Sequence, residues 1–451
     1  MSNLEFGKTL QAHKTAIDGL VVYDLPVHGD ARGWFKENWQ RDKMLAIGLP
    51  DFGPIQNNIS TSKRGATRGI HAEPWDKYIS IGTGKVFAYW VDIREGSATY
   101  GKVHFVELDP SKAVFVPAGV ANGFQTLEDD TVYSYLVNDH WSADAKYANV
   151  SLFDETLNIP FPIPLSEAEV SEKDKAHPHL KDVTPLAPKK ILIVGANGQL
   201  GRAFQAIYPY AECVDRDTLD VSSSEVFTAR RWRDYDIILN AAAYTAVDLA
   251  ETAEGRRDAW AANATAVANL AKIASENGIT LVHISSDYVF DGSVREHTEN
   301  EPFSPLGVYS QSKAAGDIAA SLASRHYIAR TSWVIGDGNN FVRTMASLAD
   351  RGIKPSVVDD QVGRLTFTTD LAAGIKHLVD SGAPFGTYNI SNDGQPASWA
   401  TIAKEVYELS GKSASDISKA ALYAPEARSL GEMSKAAGIA KEQIQDNLFG
   451  K

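Results

Sequence analysis

One cysteine, Cys213, is all that 451 residues contain. An internal disulfide and a cysteine-built metal cluster are therefore excluded, which suits a reducing compartment, and Cys213 is expected to be structural. Long apolar runs are missing too. The opening residues, MSNLEFGKTLQAHKTAIDGL, lack the unbroken hydrophobic stretch of a signal peptide, and no later run approaches the roughly 20 residues that cross a bilayer. These absences point to a cytoplasmic protein without a membrane partner. Basic residues are outnumbered, 44 against 57 acidic ones, giving a formal net charge of −13. Nucleic acid is disfavoured as a partner, because phosphate backbones are held mainly by clustered Lys and Arg. A small anion can still be gripped by a few local arginines and helix N-termini.

The composition that remains, 44% hydrophobic and 22% charged, is that of a globular protein, and the length calls for two or three domains. Residues 20–157 run as short aromatic and β-branched segments, such as VFAYWVDI (86–93), VHFVEL (103–108) and TVYSYLV (131–137), separated by Gly and Pro turns. Such punctuation predicts an all-β sandwich or barrel. The stretch HPHLKDVTPLAPKK (177–190) reads as a linker. Beyond it, the strands ILIV, DIILN, TLVHIS and HYIART alternate with helical spacing, which predicts a parallel sheet covered on both faces. No internal repeat relates the two halves.

In the second half, KKILIVGANGQLGRAF puts Gly195, Gly198 and Gly201 directly after an apolar strand and at the start of an amphipathic segment. That setting suits a dinucleotide: glycines form the tight turn and the backbone approaches a pyrophosphate at the helix N-terminus. Tyr309 and Lys313 are four positions apart, hence on one helix face. A phenol that donates a proton to a nascent alkoxide needs a neighbouring cation to be recharged, and Lys313 can serve. Ser286 adds a hydroxyl at a strand end, where open α/β sheets place their sites.

These residues resemble the extended short-chain dehydrogenase/reductases and, within them, the dTDP-4-dehydrorhamnose reductases. The segments GANGQLG, NAAAYTAVDLAE (240–251), SSDYVFDG (285–292), PLGVYSQSKAAGD (305–317), RTSWVIG (330–336) and DDQVGRLTFTTDLA (359–372) carry the likeness. It implies a catalytic set of Ser286, Tyr309 and Lys313, and a sugar contact at Trp333. It implies an NADPH or NADH site at Gly195, Asn197, Gly198, Gln199, Leu200, Gly201, Asp215, Arg216, Ala241, Ala242, Tyr244, Tyr309 and Lys313. Asp215 favours a free ribose hydroxyl and Arg216 a 2′-phosphate, so the choice of cofactor stays open. The chain departs from the family's usual Thr at Ser286, and from its Gly-Glu at Gly316-Asp317, which bears on any metal-assisted dimer contact of that glutamate.

In the first half, DARGWFKENW (30–39), QNNIS (56–60) and RGATRGIHAEPWDKYIS (64–80) concentrate Arg32, Glu37, Arg68, His71 and Lys77 among apolar and aromatic neighbours. Buried charges persist only when paired or bound to ligand, so this cluster reads as an anion pocket. Together with VPAGVANGF (116–124) and SEKD (171–174), these segments resemble the dTDP-4-dehydrorhamnose 3,5-epimerases, which are double-stranded β-helix (cupin-type) proteins. The likeness implies that His71 is a base oriented by Asp174, that Tyr135 returns a proton from the opposite face, and that Lys77 stabilises an enolate oxygen. It places Arg32, Phe35, Glu37, Gln56, Asn58, Arg68 and Asn122 around the nucleotide or sugar, and implies a homodimer through this domain. Asn122 stands where the family usually has His. With no His-x-His pair, no metal is expected in this half.

The expected architecture is therefore multidomain. An all-β cupin-type jelly roll occupies 1–183, a linker 184–188, and an α/β Rossmann-type doubly wound sheet with a small substrate-binding lobe 189–451. The expected activity is 3,5-epimerisation of a dTDP-linked 4-keto-6-deoxyhexose, then NAD(P)H-dependent reduction to dTDP-L-rhamnose. The same chemistry could yield another 6-deoxy-L-hexose. A non-catalytic nucleotide-binding regulator, like the regulatory subunit of methionine adenosyltransferase, is the competing class.

Overall fold

Strand Val86–Asp92, sequence VFAYWVD, is buried at all seven positions, and its two faces serve different cores. Val86, Ala88 and Trp90 point into one cluster with Ile79, Val114 and Phe124. Phe87, Tyr89 and Val91 point into another with Ile70, Leu152 and Leu157. This is the two-residue period of a strand with both faces covered. The computed structural model describes residues 4–294 and 296–420, so the end of the expected reductase domain lies outside the described residues. The chain divides into two compact units, Met1–Lys189 and the part from Lys190 onward.

The first unit is the expected jelly roll. One sheet runs in the order Gln11–Lys14, Val21–Asp24, Lys112–Val116, Lys77–Thr83, Thr131–Val137, Gln56–Ser62. The facing sheet runs Ala148–Asn149, Ala66–Ala72, Val120–Thr126, Val86–Asp92, Val103–Leu108, with Glu169–Val170 parallel to Ala66–Ala72. The hairpin Val27–Asp30/Gly33–Lys36 joins neither sheet. Leu186, in the stretch read as a linker, is buried, receives the Glu95 N–H and donates its own to Ile93.

The second unit has six parallel strands in the order Glu212–Val214, Lys190–Val194, Tyr235–Asn240, Thr280–Ser286, His326–Thr331, Gly386–Asn389. Helices Gln199–Ile207 and Thr368–Asp380 pack on one face, and Ala266–Asn277 and Val308–Ser321 on the other. The chain's direction of travel across the sheet reverses at Lys190–Val194, and ligands of such sheets bind beyond the strand C-termini at that switch. Helices Phe341–Asp350 and Trp399–Leu409 build a smaller lobe with its own core, which includes Met345 and Tyr407. Cys213 is exposed on the edge strand Glu212–Val214 and fills no core, contrary to the structural role expected of it. No helix among the described residues is long and apolar enough to cross a membrane.

Candidate active sites

Strand Ala66–Ala72 brings His71 opposite Asn122 of Val120–Thr126. Asp174 comes from the one-turn helix Glu172–Lys175, whose first turn is fixed by Ser171 Oγ accepting the Asp174 N–H at 3.1 Å. Its Oδ1 lies 2.8 Å from His71 Nε2, and its Oδ2 accepts the Gly69 N–H at 3.3 Å. With Nε2–H donated to a carboxylate, Nδ1 is the nitrogen left to accept a proton.

A second polar cluster adjoins this dyad. The buried Lys77 ammonium is 2.7 Å from Glu73 Oε2, 3.4 Å from Asn122 Oδ1 and 5.5 Å from the centre of the Tyr135 ring. Asn122 Nδ2 donates to the His71 carbonyl at 2.8 Å and reaches Glu73 at 3.4 Å. The amide thus ties the base's strand to the lysine. Burial, reinforced by the Glu73 carboxylate, raises the Tyr135 pKa and keeps it a phenol able to donate. Glu73 was not among the candidates; its signal was a carboxylate four positions before Lys77.

The burial expected of the anion-pocket residues is not observed. Arg32, Glu37 and Arg68 are exposed rather than buried. Arg32 pairs with Asp30 at 2.6 Å, Glu37 with Lys43 at 2.8 Å, and Gln56 donates to Asn58 at 2.8 Å. Phe35 is 68% exposed. The physical reason is placement: these residues ride on the free hairpin, on the edge strand Gln56–Ser62 and on an outward position of Ala66–Ala72. The expectation of no metal rested on linear spacing, yet the fold brings ligand atoms of His71, Asp174 and His177 within 4.8 Å of one another.

In the second unit, Val194, Gly195, Gly198, Arg216, Ala241, Ala242 and Tyr244 line a cavity of about 320 Å³ at the switch point. Gly195 has φ +77°, and a Cβ there would stand 2.6 Å from the Ala242 amide nitrogen. Bare backbone and the N-terminus of Gln199–Ile207 therefore face this space, which fits a dinucleotide pyrophosphate. Asn197 is bound to the Asp215 carboxylate. That carboxylate also accepts the N–H groups of Asp217 at 3.1 Å and Thr218 at 3.2 Å, while Arg216 faces the cavity. Gln199 Oε1 accepts the Gly336 N–H at 2.9 Å. The Leu200 side chain is buried in the sheet core beside Phe204, so only its backbone can face a cofactor.

Ser286 ends strand Thr280–Ser286, and Tyr309 and Lys313 lie one turn apart on Val308–Ser321. Lys313 Nζ donates to the Ile284 carbonyl at 2.6 Å, which anchors the ammonium to the end of that strand, two residues before Ser286. Burial raises the Tyr309 pKa to about 12, opposed by a Ser286 hydrogen bond, and lowers that of Lys313 to about 8. Trp333 adopts φ 41° and stacks on Trp399 at 3.6 Å, with Gly363 against its ring.

A family model for dTDP-4-dehydrorhamnose 3,5-epimerase matches residues 14–182, and one for the RmlD substrate binding domain matches 189–431. The chain belongs to both families. A protein RmlC homolog of Streptococcus pyogenes is 52% identical over 199 residues, 42% of this chain and 100% of that protein. A dTDP-4-dehydrorhamnose reductase of Mycobacterium tuberculosis is 36% identical over 237 residues, 49% of this chain and 76% of that protein. A solved RmlC of Streptococcus suis in complex with dTDP-D-xylose is 55% identical, covering 40% of this chain and 97% of that one, with a TM-score of 0.39.

In the reductase half, Asp317 is spent inside the fold. Its Oδ2 accepts Arg330 Nε at 2.8 Å, and the carboxylate is 1% exposed. Asn263 was also missed in the reductase. It accepts the Tyr244 N–H at 2.9 Å, donates to the Tyr244 carbonyl at 3.1 Å, and reaches Ser312 Oγ at 3.0 Å. The residue sits in a π-helical turn, Ala261–Thr265, a feature frequent at functional sites. Gly316 permits that closeness, since a Cβ would meet the Asn263 carbonyl oxygen at 2.2 Å.

Proposed function

We propose that the chain performs two consecutive steps on one sugar nucleotide. The epimerase half inverts C3 and C5 of dTDP-4-dehydro-6-deoxy-D-glucose, and the reductase half converts the 4-keto product to dTDP-L-rhamnose. What carries this reading is a single chain holding both a His71–Asp174 base and a Ser286, Tyr309, Lys313 set, in halves related to enzymes of adjacent steps.

A C4 ketone acidifies the hydrogens on C3 and C5. His71 Nδ1 takes such a proton, Asp174 steadies the imidazolium, Lys77 holds the enolate oxygen, and Tyr135 returns a proton to the other face. In the reductase, a nicotinamide cofactor held against Gly195, Gly198, Ala241, Ala242 and Tyr244 would supply the hydride that C4 needs. Tyr309, kept protonated by burial, gives its proton to the C4 oxygen, with Ser286 beside that oxygen. Lys313, its pKa near neutrality, then re-protonates the phenolate. Engagement of Asp215 elsewhere, with Arg216 on the cavity wall, supports NADPH.

The exposed nucleotide-side residues support a homodimer through the epimerase half. The edge strand Gln56–Ser62 leaves Ile59 67% exposed and, among the described residues, pairs on one side alone. Incubating the protein with substrate and NADPH in deuterated water, then identifying the sugar by NMR, tests the whole proposal. Deuterium at C3 and C5 of a rhamnose product is expected. A talose product would change the facial assignment, and tight cofactor binding without turnover would favour a regulator.

A further inference from the structure

Asp174 carries a second imidazole. His177 follows the Asp174 helix, with a side chain 6% exposed and Nε2 3.7 Å from the same Oδ1 that His71 Nε2 meets at 2.8 Å. The two rings stand edge to face, centroids 5.3 Å apart at 78°. Both nitrogens of His177 are shielded from water, and among the described residues neither meets a partner in full hydrogen-bonding geometry. Burial and the charge of His71 lower its pKa, opposed by the Asp174 carboxylate and by a backbone contact to Gly69.

We propose that His71, Asp174 and His177 form a site for a zinc-type divalent cation, and that filling it switches the epimerase base off. The three ligand atoms lie within 4.8 Å of one another. Zinc bonds of about 2.0–2.2 Å set neighbouring tetrahedral ligands roughly 3.3 Å apart. The separations of 2.8 and 3.7 Å from Asp174 Oδ1 fall on either side of that value, and the third, between the two imidazoles, is no more than 4.8 Å. Two neutral imidazoles and one carboxylate suit zinc better than magnesium or calcium, which prefer all-oxygen shells. His71 is 36% exposed, which leaves room for a water as fourth ligand. The switch is a tautomer argument. A cation on Nε2 displaces the ring proton to Nδ1, and an Nδ1 that already carries a proton cannot take one from the sugar.

The inhibitory part rests on the epimerase reading, whereas the binding part does not. The full chain, stripped with EDTA, is titrated with zinc chloride by calorimetry and with cobalt chloride by visible absorption, while deuterium entry into the sugar is followed in parallel. The wild type is expected to show a tetrahedral cobalt spectrum, to lose exchange in proportion to occupancy, and to regain it with EDTA. His177→Gln, and His177→Phe as a variant that keeps the ring packing, should each weaken zinc by about 100-fold and still exchange deuterium in its presence. Absence of binding by the wild type, equal affinity in both variants, or full exchange with the site saturated would each overturn the proposal. A metal-free wild type that never exchanges deuterium would instead sink the epimerase reading, and the titrations would still decide the site.

Discussion

His71 Nε2 and Asp174 Oδ1 meet at 2.8 Å across 103 positions of sequence, joining a jelly-roll strand to a one-turn helix near the end of the epimerase half. In the proposed epimerisation the carboxylate would decide which ring nitrogen faces the sugar and stabilise the charge that His71 acquires. Asp174→Asn should therefore cut deuterium incorporation at C3 and C5 by on the order of 10²–10⁴-fold. Reduction of an already epimerised 4-keto sugar should proceed as before, and a mutant with normal incorporation would remove Asp174 from this role.

Tyr309→Phe deletes the phenol and leaves its ring in place. Reduction, read as NADPH oxidation, should fall by on the order of 10²–10⁴-fold while deuterium exchange continues. Unchanged reduction would eliminate Tyr309 as the proton donor.

Lys313 should give the reductase an alkaline limb. Burial brings its pKa down to about 8, so the ammonium loses its proton as pH rises through that value and kcat for reduction falls. In Lys313→Arg, whose guanidinium stays charged, any residual activity should lack this limb. A limb that persists unaltered in the variant belongs to another group.

Arg216→Ala tests the choice of cofactor. Charge-assisted bonds to a 2′-phosphate are worth about 1.5–3 kcal/mol, so KM for NADPH should rise roughly 10- to 100-fold with little change for NADH. Equal effects on the two cofactors would return preference to Asp215.

Asp317→Ala strands Arg330, whose side chain is 5% exposed, without its carboxylate. Breaking a buried pair in this way costs about 3–5 kcal/mol. Urea unfolding should show that loss in the reductase transition and an unchanged epimerase transition.

The architecture was readable because its signals are local. The alternation in Val86–Asp92 and the strand–glycine–helix order around Gly195 each report a backbone pattern within a few residues. What escaped was set by contacts between distant segments. Asn263 gains its role from Tyr244, 19 positions away, while Glu73 and His177, close in sequence to Lys77 and Asp174, matter through their contacts with the distant Asn122 and His71. Arg32 and Glu37 were read as buried because their neighbours are aromatic, but aromatic residues on an unattached hairpin face outward. Leu200 was taken as a cofactor residue from its motif, although its helical position turns it toward the sheet.

The lone thiol, at odds with its expected role, has a practical use. Cys213 is exposed on the edge strand Glu212–Val214, three residues before Arg216 on the cavity wall. A maleimide fluorophore would attach at one position without any mutagenesis, most readily under mildly alkaline conditions because burial and Glu212 raise the thiol's pKa. Its emission would register nucleotide arrival at the reductase independently of turnover.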